Sequence, residues 1–301
     1  MSARACYNGP MDSQEERPTP PARNHKSPFA PGLFDGQSAL VTGGGTGLGL
    51  QISRGLARLG AHVTIASRST EHHAALLEEA ATEGWSVNAE VLDVRRMKDV
   101  VEVAERLHKG LAERTGKPAF DILVNNAAGN FVCPAERLSE RAWRAVLGIV
   151  LDGTFYCSRE FGRGMIRTKA GGSILNIVAT YAWTGMPGVV HSASAKAGVL
   201  AMSKTLAAEW ARHNIRVNAI APGVFDSQGA GKNLWPDEAT KQRLAAAVPA
   251  GRFASTEEIA DHCLWLLSPA SAYVTGECFT VDGGASLGRG MWEPGERLSR
   301  E

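Results

Sequence analysis

The chain has 301 residues, of which 44% are hydrophobic, and a formal net charge of +1. It is long enough to bury one large core, and the small net charge argues against a nucleic-acid partner. Five cysteines without a C-x-x-C pair argue against a disulfide framework or a zinc site, and no apolar run is long enough to span a membrane. We therefore expect a cytoplasmic protein that binds no metal and no membrane.

The domain organisation follows from composition and periodicity. Residues 1–31 are rich in Pro, Arg, Glu and Asn, so we expect a disordered N-terminal extension. Residues 32–291 are expected to form a single domain and residues 292–301 a flexible tail. In the domain, apolar runs alternate with helical stretches, which is typical of an α/β fold with a parallel sheet covered on both faces. The predicted strands are Gln37–Thr42, His62–Ala66, Ser86–Leu92, Asp121–Val124, Ser173–Val178, Ile215–Ile220 and Cys278–Val281.

A glycine-rich loop follows the first predicted strand and precedes a helix. Gly43 permits a tight turn, Gly47 lets a pyrophosphate approach the backbone, and Gly49 lets helix and strand pack closely. The phosphates would meet the N–H groups of the helix N-terminus. In this context a nucleotide site is favoured over an ordinary tight turn. The expected phosphate-binding residues are Gly43, Gly44, Gly45, Thr46, Gly47, Leu48 and Gly49.

The end of the second predicted strand indicates which cofactor binds. An acidic residue there would select NAD, but this chain has Ser67 and Arg68. A guanidinium beside a hydroxyl suits a 2′-phosphate, so NADP is favoured. The alternative is that Arg68 is an ordinary surface charge.

The segment from Asn176 to Lys196 carries the candidate catalytic groups. An apolar strand leads into a Gly/Pro loop holding Tyr181, and an Ala-rich helix then carries Ser192 and Lys196 one turn apart. A phenol at that place can donate to an oxygen that gains negative charge, and a lysine beside a bound cofactor is expected to lower the phenol's pKa. The alternative is a buried tyrosine and a surface lysine.

Two longer stretches complete the prediction. Ser139 to Ile166 is predicted to form one long helical region. The mostly polar segment from Val224 to Val248 is predicted to be a lid or binding loop, because loops of that length are rare in compact domains.

The motifs together resemble the short-chain dehydrogenase/reductase superfamily over residues 29–287. They are the glycine loop, Asp93-Val94, Asn125-Asn126-Ala127, the Ser192/Lys196 segment, Pro222-Gly223 and Asp282-Gly283-Gly284. The resemblance implies a three-layer Rossmann fold with a mostly parallel, seven-stranded, doubly wound sheet, in dimers or tetramers. It also implies further cofactor contacts at Asp93, Val94, Asn126, Lys196, Pro222, Gly223 and Phe225.

One departure from this superfamily points to a subgroup. Typical members carry a tyrosine four residues before the lysine, where this chain has Ser192, and an asparagine where it has Val150. The altered set resembles the 2,4-dienoyl-CoA reductases, most closely the mitochondrial type. The matching segments are Asn126–Phe131, Arg137–Ser139, Ala179–Gly185 and Ser192–Gly198.

This resemblance implies a reaction and a set of roles. NADPH would deliver hydride to the far end of a conjugated dienoyl thioester, as in the β-oxidation of unsaturated fatty acids. Tyr181 and Asn130 would donate to the oxygen of the resulting dienolate, Lys196 would hold the nicotinamide ribose, and Ser192 would complete the hydrogen-bond network. The implied acyl-CoA contacts are Arg95, Phe131 and Ser139; the family's CoA-contacting arginine falls at Asn233.

Several alternatives stay open at this point. Asn130 could be a turn residue, Ser192 a helix N-cap, and Arg95 a solvated charge beside Arg96. The chain could instead oxidise or reduce another carbonyl or alcohol, or bind NADP without catalysis. The Ala-rich helix after Ser192 resembles a subunit interface of the superfamily, so we expect a homo-oligomer.

Overall fold

The computed structural model describes residues 27–225 and 237–287. Its seven strands form one sheet in the order β3-β2-β1-β4-β5-β6-β7, and every adjacent pair is parallel. The strands are β1 (Ser38–Thr42), β2 (His62–Ser67), β3 (Val87–Val91), β4 (Ile122–Asn125), β5 (Gly172–Ile177), β6 (Ile215–Pro222) and β7 (Cys278–Val281). The predicted seven-stranded Rossmann sheet is confirmed, and all of its described strand pairs are parallel.

Helices cover both faces of this sheet. They are α1 (Gly47–Arg58), α2 (Ala74–Glu83), α3 (Met97–Thr115), α4 (Glu140–Leu147), α5 (Gly153–Thr168), α6 (Tyr181–Thr184), α7 (Val190–Trp210), α8 (Glu238–Ala246) and α9 (Thr256–Leu267). Helices α1 and α9 pack into the core on one face, and α3, α5 and α7 pack into the core on the other. In β1, Ala39 and Val41 belong to the first core and Leu40 to the second, as the alternation of side chains along a strand requires.

The structure differs from the prediction in three helical segments. The long helical region is interrupted between α4 and α5 by a π-helical turn, Gly148–Asp152. Tyr181 begins the short helix α6 instead of lying on a loop. The predicted lid contains α8, which Asp237 caps by accepting a hydrogen bond from the backbone N–H of Thr240. Asn233 and its neighbour Lys232 lie outside the described residues.

The edges of the predicted domain are partly described. Phe29, which the prediction assigned to the disordered extension, packs against the first core. Residues 292–301 lie outside the described part, so the proposed tail stays a prediction. No helix in residues 27–225 and 237–287 is long and apolar enough to cross a membrane.

Candidate active site

The site lies where the chain reverses its direction across the sheet. From β1 the chain moves to β2 and β3 on one side, and it then crosses to β4 on the other side of β1. Ligands of such sheets bind at the carboxyl ends of the strands beside this point. Thr42, at the end of β1, is buried, and its hydroxyl accepts from the backbone N–H groups of Asn126 and Ala127. Thr42, which the sequence motifs did not single out as a site residue, joins the two loops of the crevice.

The glycine loop after β1 is shaped for a phosphate group. Gly43 has a φ of +64°, which only glycine adopts without strain, and a Cβ at Gly49 would lie 2.2 Å from the carbonyl oxygen of Gly43. Helix α1 begins at Gly47 with no side-chain cap on Thr46 and no acidic residue in its first turn. Its first N–H groups are therefore open to an anion, which fits the diphosphate of a dinucleotide.

Other residues predicted to bind the cofactor brace this loop. The side-chain amide of Asn126 donates to the carbonyl oxygens of Thr42 and Gly43 at 3.0 and 3.1 Å. Leu48 is buried in the core beneath the loop. Gly44 and Gly45 lie against β2 and the turn that follows it. The structure brings these residues together around one crevice, and their contact with a cofactor stays a prediction.

Ser67 and Arg68 lie at the carboxyl end of β2, but the hydroxyl of Ser67 is already engaged. It donates to the carbonyl oxygen of Ser69 at 2.8 Å, so the Nε2–H of His73, also 2.8 Å away, must donate to it. Burial and the neighbouring His72 lower the pKa of His73, in keeping with a neutral ring. The Ser67 hydroxyl proton, which was expected to bind a 2′-phosphate, is therefore already used in a hydrogen bond. Arg68 is exposed and remains available to bind that phosphate.

Arg95 is exposed, and its guanidinium is paired with Asp93. Its Nε and Nη2 hold the carboxylate of Asp93 in a two-point ion pair, with Nε at 2.8 Å from Oδ1. This pairing is the largest of the effects that lower the pKa of Asp93. Val94, between them, is buried against Gly153. Arg95 Nη1 has no hydrogen-bond partner among the described residues, so one edge of the guanidinium remains available.

The catalytic candidates Tyr181 and Ser192 are in direct contact. The phenol oxygen of Tyr181 lies 3.0 Å from Ser192 Oγ, and Ser192 is 1% exposed. Helix α7 begins at Val190 after Val189, so the alternative that Ser192 is the N-cap is wrong. Lys196, one turn further, is buried and donates to the carbonyl oxygen of Ile177 at the end of β5. The surface-lysine alternative is therefore also wrong.

The protonation of these groups follows from their burial. Burial raises the pKa of Tyr181, although the hydrogen bond with Ser192 lowers it in part. Lys196 is not among the causes of this shift, and the expectation that it lowers the phenol's pKa beside a bound cofactor stays a prediction. Burial also lowers the pKa of Lys196 to about 8. The phenol is thus a neutral hydrogen-bond donor at physiological pH.

The remaining predicted substrate contacts have defined places. The backbone N–H of Phe131 donates to Asn130 Oδ1 at 2.9 Å, which leaves the Asn130 amide nitrogen without a partner among the described residues. Phe131 packs at right angles on the ring of His191, with 4.5 Å between centroids. Ser139 Oγ caps α4 by accepting from the backbone N–H of Ala142. Ser139 is thus a helix cap on an exposed surface, and no described contact joins it to Tyr181.

Three predicted cofactor contacts lie at or just after the end of β6. Pro222 ends the strand, the backbone N–H of Gly223 donates to the carbonyl oxygen of Val281, and Phe225 pairs with Ala254 in an isolated bridge. Val150 lies buried in the π-helical turn, a feature that is frequent at functional sites.

In the described part of the chain, no group of three or more His, Cys, Asp or Glu residues could hold a metal ion.

An apolar rim borders Tyr181. The backbone N–H of Cys133 donates to the carbonyl oxygen of Gly188 at 2.8 Å, which joins the loop after β4 to the loop after α6. Large apolar side chains stand exposed on these two loops, on α6 and at the start of α7. They are Val132, Trp183, Met186 and Val190. Such a patch is typical of a surface that binds an apolar ligand or a partner.

Comparisons with known proteins find reductases among the relatives of this chain. A family model described as enoyl-(acyl carrier protein) reductase matches residues 43–286. The chain is 41% identical to a probable 2,4-dienoyl-CoA reductase of Bacillus subtilis, named as (2E)-enoyl-CoA-producing, over 83% of this chain and 97% of that protein. It is 38% identical to a peroxisomal 2,4-dienoyl-CoA reductase of Pongo abelii, named as (3E)-enoyl-CoA-producing, over 89% of each.

A solved structure of similar fold was determined with a nucleotide. It is a gluconate 5-dehydrogenase from Burkholderia cenocepacia in complex with NADP and tartrate, which is 33% identical to this chain. The two superpose with a TM-score of 0.77 over 85% of this chain and 97% of that one.

Proposed function

Because the chain belongs to the short-chain dehydrogenase/reductase superfamily and is similar to 2,4-dienoyl-CoA reductases along most of its length, we propose that it reduces a 2,4-dienoyl-CoA thioester to an enoyl-CoA with NADPH. The reaction would serve the β-oxidation of unsaturated fatty acids. The contact between Tyr181 and Ser192 carries the proposal. Ser192 stands where ordinary superfamily members have a tyrosine, and Tyr181, from another segment of the chain, places its phenol beside this serine.

The residues of the crevice support a nicotinamide cofactor. The open N–H groups of α1 would hold the diphosphate, Arg68 the 2′-phosphate and Lys196 the nicotinamide ribose. When bound, NADPH supplies the hydride. The gluconate 5-dehydrogenase of similar fold was solved with NADP, which favours the phosphorylated cofactor here.

Reduction of a dienoyl thioester leaves a dienolate, whose negative charge lies largely on the thioester oxygen. The phenol of Tyr181 and the amide nitrogen of Asn130 are the proposed donors to that oxygen. Burial raises the pKa of Tyr181, so the phenol stays protonated and can donate. Asn130 Oδ1 is held by the backbone N–H of Phe131, which leaves its amide N–H groups for the substrate. Protonation of the dienolate by water at C4 would leave a 2-enoyl product, and at C2 a 3-enoyl product.

The surroundings suit an acyl-CoA. The exposed apolar side chains of Val132, Trp183 and Met186 would contact the acyl chain, and Arg95 Nη1 remains free to meet a CoA phosphate. We also propose that the chain forms homo-oligomers through the Ala-rich helix α7. The finer resemblance to the mitochondrial type stays a prediction.

A substrate panel tests the proposed reaction. NADPH oxidation is measured with 2,4-hexadienoyl-CoA, with simple ketones and, in the reverse direction with NADP, with gluconate. We expect turnover of the dienoyl thioester alone. Faster turnover of a ketone or of gluconate would favour the alternative carbonyl or alcohol oxidoreductase, and tight NADPH binding without turnover would favour a non-catalytic protein.

The choice of cofactor has its own test. Arg68→Ala should weaken binding of NADPH and leave binding of NADH unchanged, because only NADPH carries the 2′-phosphate. Arg96→Ala, which removes another exposed arginine, is the matched control. Equal weakening of NADPH and NADH by Arg68→Ala would refute the role of Arg68.

A further inference from the structure

His191 is a fully buried residue of α7 that the predicted site does not include. It lies in the first turn of the helix, where backbone N–H groups lack partners within the helix. Val189, at the N-cap position, offers no polar side chain to satisfy them. Instead His191 Nδ1 accepts from the backbone N–H of Ser192 at 2.8 Å. The imidazole thus takes the place of an N-cap and fixes the residue that meets Tyr181.

The same imidazole also contacts the loop that carries Asn130. Its ring stands at right angles to the ring of Phe131, with centroids 4.5 Å apart, and Phe131 in turn donates its N–H to Asn130. One unbroken series of contacts therefore links Asn130 and Tyr181. It runs through Asn130, Phe131, His191, Ser192 and Tyr181.

The hydrogen bonding of the imidazole ring suggests that a histidine stands at position 191 for a reason other than stability. Because Nδ1 accepts a hydrogen bond, the ring proton of a neutral His191 lies on Nε2, and this buried atom has no partner among the described residues. A buried N–H without an acceptor is destabilising, so an apolar side chain would serve packing better. Residues that break a local rule in this way are expected at functional sites.

We propose that His191 is a positioning residue that sets Tyr181 and Asn130 to converge on the same substrate oxygen. This inference rests on the proposed function. His191 holds the Ser192 backbone so that Oγ meets the phenol, and it holds Phe131 so that the Asn130 amide faces the substrate. Displacing one donor by about 1 Å is enough to lower turnover on the order of a hundredfold.

Three substitutions separate this role from simple packing. In His191→Asn the side-chain oxygen can stand near the place of Nδ1 and keep the acceptor. In His191→Gln the amide stands near Nε2 instead, and in His191→Leu no acceptor remains. With 2,4-hexadienoyl-CoA, we expect kcat to fall about tenfold to a hundredfold in the Leu and Gln variants and to be largely retained in the Asn variant, with KM for NADPH unchanged. Equal losses in all three variants would overturn the proposal.

A double-mutant cycle adds a second criterion. If His191 acts through Tyr181 and Asn130, His191→Leu should lower kcat much less in a chain that already carries Tyr181→Phe. Equal fold-losses in both backgrounds would mean that His191 only supports the fold, and would overturn the proposal.

A titration distinguishes failure of this inference from failure of the proposed reaction. The hydrogen bond with Ser192 lowers the pKa of Tyr181. A displacement of Ser192 that breaks this hydrogen bond should therefore raise that pKa further. Ultraviolet titration of each variant, with the Tyr181→Phe chain subtracted, reports this change without any substrate. We expect a raised pKa in His191→Leu and His191→Gln and an unchanged one in His191→Asn. An unchanged pKa in all three would overturn the positioning role, whether or not dienoyl-CoA is the substrate.

Discussion

Tyr181→Phe removes a single oxygen from the candidate site and keeps the ring. Among the described residues that oxygen has one hydrogen-bond partner, Ser192 Oγ at 3.0 Å, so the expected loss of unfolding free energy is about 1 kcal/mol. The effect on catalysis is expected to be larger. One of the two proposed donors to the dienolate oxygen disappears, and loss of such a donor lowers turnover about a hundredfold to a thousandfold, or about 3–4 kcal/mol in the barrier.

The assay follows NADPH oxidation at saturating dienoyl-CoA, with NADPH binding measured separately. Tyr273→Phe is the matched control, because Tyr273 is fully exposed and distant from Ser192 in the chain. We expect Tyr273→Phe to keep full activity. Tyr181→Phe should bind NADPH normally but show a strongly lowered kcat. In the wild-type chain, loss of activity through ionisation of the phenol should occur only above the ordinary tyrosine pKa of about 10, because burial raises the pKa of Tyr181. Near-normal kcat in Tyr181→Phe would refute the donor role.

Three further predictions concern the fold that holds the site. Gly49→Ala should abolish cofactor binding, measured by calorimetry, because its Cβ would lie 2.2 Å from a loop carbonyl, whereas Gly110→Ala, in open space, should not. Asn176→Ala should lower the free energy of unfolding, measured in urea, by about 1–3 kcal/mol, because it leaves a buried N–H of Asn125 without its acceptor. The control is Asn88→Ala at an exposed position. Equal losses in the two variants would contradict the role of this buried hydrogen bond. Burial lowers the pKa of His108 from 6.5 to about 4. Between these pH values the unfolded chain binds a proton that the folded chain does not bind. The free energy of unfolding should therefore fall by about 3 kcal/mol as the pH falls from 6.5 through 4. His108→Phe should lose that part of the pH dependence, and an unchanged slope would refute it.

The features that could be predicted from the sequence are those with a short-range pattern. The apolar runs of the strands, the glycine loop and the spacing of Ser192 and Lys196 each depend on neighbouring residues, and the parallel sheet follows from their alternation with helices. The helix α8 also had a local signal, since Asp237 precedes a run of good helix formers, but its polar composition favoured the loop interpretation.

The features that could not be predicted depend on where side chains meet after folding. Arg95 pairs with Asp93 because the turn after β3 brings its guanidinium back, and Ser67 meets His73 only through the path of the chain after β2. The burial of Lys196, which lowers its pKa, depends on β5 and α7 packing together, and no residue near it in the sequence indicates this.

The proposed reaction reduces a carbon–carbon double bond through a dienolate. The most direct test uses NADPH deuterated at the transferable hydride position, with 2,4-hexadienoyl-CoA as substrate and nuclear magnetic resonance of the product. We predict one deuterium at C5, the far end of the diene, and none at the other carbons. Deuterium at C3 or at the thioester carbon, or NADPH oxidation without deuterium in the acyl chain, would contradict it.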